Sequence, residues 1–302
     1  VTIPLQTFDQ ECITPAHTDT LLLIGHGSPD AAGNAEYLQF VALLADYLSI
    51  DVQPGFMECA EPSVPTTIER CVAAGIKELA VLPLFLGAAG HQKRDVPELL
   101  DAARAAYPWL TLRYGTPLGT QYTLIDTMAE RAVTALAHSK TPISNHETAL
   151  LVVGRGSRDP DSNAEMFKIA RLLWEGRDYG WVEVAFQSVT PPDVVQGITR
   201  CVRLGARRVV VLPYLLFTGF VLQDIVAQAT TARQHYPEIE ILMAGHLFQA
   251  QPSTAQAVTQ ESLLTANAGL LAAVAQRYHD MIRGTAVMNC DLCHYRREAQ
   301  NQ

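Results

Sequence analysis

Positive charge is in short supply. Lysine and arginine number 22 against 31 aspartate and glutamate, a formal net charge of −9. That balance argues against nucleic acid or an acidic membrane surface as a general partner. An anionic small molecule stays open, because a local basic patch overrides the global sign. Long apolar runs are lacking too. The longest, 209–222, is broken by Pro213 and is too short to span a bilayer. No Arg/Lys-led hydrophobic leader is visible. Cysteine is sparse: Cys12, Cys59, Cys71, Cys201, Cys290 and Cys293 do not form the dense framework of a secreted scaffold. A reduced, cytoplasmic setting is therefore expected. Gly25 and Gly27 lack the third glycine of a dinucleotide-binding fingerprint.

What is present is a repeat. Gly25-His26-Gly27-Ser28 follows an apolar run, and Gly154-Arg155-Gly156-Ser157 follows another 129 residues on. Asn34-Ala35-Glu36 recurs as Asn163-Ala164-Glu165, Cys71 as Cys201 within Arg-Cys-Val, Asp95 as Asp224 and Gly115 as Gly245. The offset stays at 129 or 130. At 302 residues, 48% hydrophobic and 18% charged, the chain is long enough for two globular domains. Periodicity predicts strands over 20–24, 52–57, 78–86 and 111–114, alternating with helices over 34–48, 65–74, 95–106 and 122–136. The second copy repeats this order from about residue 148, with an extra segment over 251–266 before a closing helix over 269–282. Strands alternating with helices mean an α/β fold, each copy a parallel sheet with helices on both faces. The expected domains are 18–139 and 148–283, with a polar linker over 139–147 and a tail over 284–302.

In open α/β sheets, ligands bind beyond the carboxyl ends of the strands. His26, Glu58 and His91 each follow a predicted strand of copy one. At the matching positions copy two has Arg155, Ser188 and Phe220. Three reactive residues are lost together while the phrases around them persist. Two imidazoles and a carboxylate suit a divalent first-row metal such as Co, Ni, Fe or Zn, and neutral imidazole accepts protons near neutral pH. Glu61, also lost in copy two as Pro191, is a weaker candidate that can instead cap the helix starting near Ser63.

At these residues the chain resembles the class II tetrapyrrole chelatases, in particular the long sirohydrochlorin cobaltochelatases of the CbiX type and the related sirohydrochlorin ferrochelatases. The resemblance rests on Leu-Leu-Ile-Gly-His-Gly-Ser at 22–28, on Glu58 with Glu61-Pro62-Ser63, and on Pro-Leu-Phe-Leu-Gly-Ala-Ala-Gly-His at 83–91 with Lys93-Arg94-Asp95-Val96-Pro97. It implies two tandem flavodoxin-like (chelatase-like) domains with a cleft between them. It also implies insertion of Co²⁺ into sirohydrochlorin with release of two protons, with Fe²⁺ or Ni²⁺ as alternatives. By position His26, Glu58 and His91 are the metal-handling and catalytic residues. Ser28, Lys93, Arg94, Arg155 and Ser157 are candidates for the ring carboxylates, and Phe220 for stacking on the ring face. Met288-Asn289-Cys290-Asp291-Leu292-Cys293 is similar to the Met-x-Cys-x-x-Cys tail associated with an iron–sulfur cluster in long cobaltochelatases. A [4Fe–4S] cluster takes four cysteine ligands, so Cys290 and Cys293 would need a second subunit or outside ligands. An inert pair, or zinc at Cys290, Cys293 and His294, stays open. Two other classes use the same triad: a metal-dependent hydrolase, which would retain its metal, and a non-catalytic metal or tetrapyrrole carrier.

Overall fold

The computed structural model describes residues 20–250 and 258–287. The first copy runs β1 (Thr20–Gly25), α1 (Ala31–Leu48), β2 (Asp51–Phe56), α2 (Val64–Ala73), β3 (Glu78–Pro83), a π-helical turn (His91–Asp95), α3 (Val96–Ala106), β4 (Thr111–Tyr114) and α4 (Tyr122–Ala137). The second runs β5 (Thr148–Gly154), α5 (Pro160–Trp174), β6 (Trp181–Phe186), α6 (Val194–Arg203), β7 (Arg208–Pro213), α7 (Phe220–His235), β8 (Glu240–Met243), α8 (Gln260–Ala266) and α9 (Ala268–Ile282). Each copy forms a parallel four-stranded sheet, in the orders β2-β1-β3-β4 and β6-β5-β7-β8. The expected strands and helices are therefore present, with ends shifted by a few residues.

Alternation along the strands explains the layers. Leu21 and Leu23 of β1, with Ala80 and Leu82 of β3, join one core, while Leu22, Ile24, Leu79 and Val81 join another on the opposite face under α2 and α3. β5 and β7 divide in the same way: Leu150, Val152, Val210 and Leu212 turn inward, and Leu151, Val153, Val209 and Val211 turn toward α6 and α7. The two inward faces share one continuous core, which also takes in Phe40 of α1, Met128 of α4, Ile169 of α5 and Leu271 of α9. Cys71 and Cys201 are buried in the two outer cores, as packing residues.

The closing helices are exchanged. α4, from the first copy, packs on β7 and β8, while α9, from the second, packs on β3 and β4. They cross each other so closely that a Cβ on Gly269 would stand 2.2 Å from Thr127 Oγ1. Buried Arg131 of α4 donates to the carbonyls of His246, Leu247 and Ala266, and Arg277 of α9 donates to the carbonyl of Leu118. The closing helices thus pack across the two repeats. Each sheet is closed by the other copy's last helix. No helix among the described residues is long and apolar enough to cross a membrane.

Candidate metal centre at the cleft

Backbone pairing continues past the ends of β1 and β2. Met57 N–H donates to Gly25 O and Glu58 N–H to His26 O, which sets His26 beside Glu58. The approach requires glycine at 27. Its φ is +86°, and a Cβ there would lie 1.8 Å from Glu58 O. The second copy keeps the same device: Gln187 and Ser188 donate to Gly154 O and Arg155 O, and a Cβ on Gly156 would lie 2.0 Å from Ser188 O. Ser28 and Ser157 serve the turns that follow. Their hydroxyls accept from the N–H of Asp30 and Asp159, and their peptides are clasped by Asn34 and Asn163. Much of the repeated phrase is therefore scaffold.

His91 arrives by another route. In copy one the N–H of Lys93 donates to Ala89 O, and in copy two the N–H of Gln223 donates to Gly219 O. These bonds make Gly90 the counterpart of Phe220, and Val221 the counterpart of His91. The constant-offset match of Phe220 to His91 is thus corrected by one residue. The extra residue of copy one is taken up in the π turn, whose closing bond runs from Val96 N–H to His91 O. Such turns accommodate one more residue per turn than an α-helix and recur at functional sites. A similar slip moves the partner of Gly115. Its N–H bonds Val81 O as that of Ala244 bonds Val211 O, so Ala244, not Gly245, is its equivalent.

His26, Glu58 and His91 meet. Each offers a ligand atom within 4.8 Å of the other two, and the two imidazoles stand edge to face with centroids 4.5 Å apart. His26 Nδ1 is 3.0 Å from Gly27 O and 3.5 Å from Glu58 Oε1. A carbonyl accepts only, so Nδ1 carries the proton. Nε2 is left as a bare lone pair, buried and without a partner. Burial holds the His26 pKa below its ordinary value despite the Gly27 carbonyl, and His91 and Arg155 push it the same way. Neutral imidazole is the form that binds metal. His91 Nδ1 lies 2.8 Å from Asp95 Oδ2, close enough for an ion pair though not aligned as a hydrogen bond. Asp95 itself is held below the usual carboxylate range, because Arg94 and His91 outweigh its burial. In the sequence Asp95 stands out as a repeat residue and as part of the 93–97 phrase, and its place four residues after His91 is the further signal that ties it to the site. Its counterpart Asp224 instead accepts from Gln187 and Gln228.

The triad opens into a cavity of about 570 Å³ between the halves, at the carboxyl ends of both sheets. Ser28, Arg155, Ser157 and Phe220 line it. Phe220 is 57% exposed, so it is not a core residue. Arg155 is the one lysine or arginine among the described residues lining the cavity. Lys93 and Arg94, expected at the ring carboxylates, are placed elsewhere. The Lys93 side chain is 3% exposed and binds Asp159 at 2.6 Å and Asp161 at 3.4 Å. Arg94 is 59% exposed, with its Nε on Asp95 Oδ1 at 2.7 Å. Glu61 accepts the N–H of Ser63, the N-cap of α2, and stands outside the triad. Among the lining residues absent from the sequence-based set are Cys59, an exposed free thiol beside Glu58, and Glu165. Burial raises the Glu165 carboxyl despite its bond from Thr120. Cys290, Cys293 and His294 lie outside the described residues.

The CbiX family model matches residues 20–135 and 149–262. The chain is 34% identical over 92% of its length to a sirohydrochlorin cobaltochelatase of Priestia megaterium, covering 84% of that protein. It is 30% identical over 73% of its length to a sirohydrochlorin ferrochelatase of the same organism, covering 82% of that protein. A solved structure, SirB from Bacillus subtilis with Fe3+, superposes with a TM-score of 0.70 at 23% identity, covering 88% of this chain and 96% of that one, which shows a shared fold. On the match across both repeats, and on the identity to relatives of similar length, the chain belongs to the CbiX family of class II chelatases.

Proposed function

We propose that the protein inserts a divalent metal, cobalt foremost, into sirohydrochlorin. The observation that carries this is the meeting of two imidazoles and a carboxylate at an open cleft, each offering a ligand atom within 4.8 Å of the other two, with His26 Nε2 buried and unpartnered. The cobaltochelatase relative, matched over 92% of the chain, supports cobalt, and the ferrochelatase relatives keep iron as the alternative.

The chemistry balances as an exchange. The ring gives up two N–H protons and gains four metal–nitrogen bonds. Each imidazole nitrogen that releases the metal becomes free to take one of those protons, so His26 and His91 receive two between them. The two side chains are 35% and 36% exposed and can pass protons to water. The depressed pKa of His26 makes that release easier. Glu58 offsets the metal's charge before transfer. Arg155, facing the metal residues from the other half, offers a planar fork to a ring carboxylate. Ser28 and Ser157 offer hydroxyl protons, and exposed Phe220 offers an apolar face to the macrocycle.

The test is absorbance of sirohydrochlorin on adding Co²⁺ or Fe²⁺ anaerobically. His26→Ala and His91→Ala should turn over about 100-fold or more slowly, and wild-type rates in both would overturn the assignment. The tail pair Cys290 and Cys293 is proposed, on the resemblance to long cobaltochelatases, as half the ligand set of an iron–sulfur cluster completed by a second subunit. Iron and sulfide analysis of the purified chain tests that directly, and their absence would remove it.

A further inference from the structure

Two contacts tie the halves together on either side of the cleft, and they are mirror images in the repeat. Lys93, two residues after His91 in the π turn, reaches Asp159, the N-cap of α5 in the other half. Its counterpart Gln223, near the start of α7, reaches Asp30, the N-cap of α1, at 3.0 Å. The geometry is shared and the chemistry differs. Lys93 and Asp159 form an ion pair with side chains 3% and 2% exposed, and Asp161 adds a second carboxylate at 3.4 Å. Gln223 and Asp30 form a neutral-to-charged hydrogen bond in solvent.

Burying a charge pair is costly, and it adds little to stability over a well-packed apolar pair. The second copy shows that the same junction closes without it. The costly version sits only on the side whose turn carries a metal residue. That turn is also the irregular one, with an i→i+5 bond in place of the α-helical pattern. We propose that Lys93 is a positioning residue for the metal centre: its buried ion pair with Asp159 locks the π turn to the opposite half and so holds His91 at reach of His26 and Glu58.

The proposal rests on the metal centre described above, so its test reads metal binding directly. Co²⁺ alone is titrated into the full chain, followed by its visible absorption, with wild type, His26→Ala, Lys93→Gln, Lys93→Arg and Asp159→Asn. Lys93→Gln copies the mirrored contact. Asp159→Asn removes the charge but keeps an N-cap oxygen, and it serves if Lys93→Gln does not fold. Loss of a residue that orients a ligand weakens metal binding about tenfold or more. That loss, with an altered absorption band, is expected in folded Lys93→Gln and Asp159→Asn, and Lys93→Arg should restore most of the affinity. Affinity and spectrum equal to wild type in the folded variants would overturn the positioning role and leave the metal centre standing. Wild type with no His26-dependent Co²⁺ binding would overturn the metal centre itself.

Discussion

The two repeats have the same strand order, the same glycine at 27 and 156, the same asparagine clasp and the same crossed closing helices. Only the first carries His26, Glu58 and His91. The residues that make the fold and those that make the triad are therefore almost separate sets, although they are neighbours in sequence. A strand end holds its side chain by backbone pairing, as Glu58 N–H to His26 O and Ser188 N–H to Arg155 O show. The side chain itself is free to change. One half thus places the triad at the cleft, and the other presents Arg155 and Phe220 there.

The sharpest way to break this comparison is to remove the chemistry and keep the fold. His26→Ala or His91→Ala should lower chelation by about 100-fold or more, read from sirohydrochlorin absorbance, with an unchanged circular dichroism spectrum. Arg155→Ala should leave Co²⁺ binding in place and act on the ring instead.

Gly27→Ala and Gly156→Ala form a matched pair. Each puts a Cβ within 2.0 Å of a carbonyl oxygen at positive φ, so each should cost about 3 kcal/mol of stability, measured by urea unfolding. Only Gly27→Ala should also abolish Co²⁺ binding, since the carbonyl it displaces belongs to Glu58.

Asp95 and Asp224 sharpen the comparison further. Asp95→Asn should weaken Co²⁺ binding by about 10- to 100-fold through its contact with His91. Asp224→Asn should leave it unchanged, because that carboxylate serves Gln187 and Gln228.

A smaller effect concerns pH. The folded pKa of His26 lies below the unfolded value, so acid binds the unfolded or metal-free form preferentially. The His26 contribution to Co²⁺ affinity should therefore be lost at a lower pH than an ordinary histidine would give, which comparing affinity against pH in wild type and His26→Ala will show. The least effect is expected from a graft. Arg155→His, Ser188→Glu and Phe220→His together should add no second Co²⁺ equivalent, because residue 220 corresponds to Gly90 and copy two lacks the π turn. A second equivalent by metal analysis would sink that correspondence.

Much of this was legible in the chain. Buried parallel strands need apolar residues on both faces, so β1, β3, β5 and β7 show as apolar runs. The triad was legible because three losses coincide against a repeated background. Lys93 was misjudged because a lysine near an expected anion site has the same sequence signature whether it faces solvent or pairs with Asp159. The one-residue shift at His91 was hidden because a constant offset tolerates an error of one, and a π turn has no distinctive composition.

The sequence by itself determined the repeated α/β scaffold, the three strand ends that bear chemistry, and the half that lost them. These follow from local rules, the period of apolar residues and the glycines that close backbone contacts require. Only the tertiary structure decided that α4 and α9 trade sheets, that Asp95 stands behind His91, and that the second half grips the turn bearing His91 through Asp159. Those are contacts between residues far apart in the chain, or across an irregular turn. Packing and charge pairing choose them after the local elements have formed.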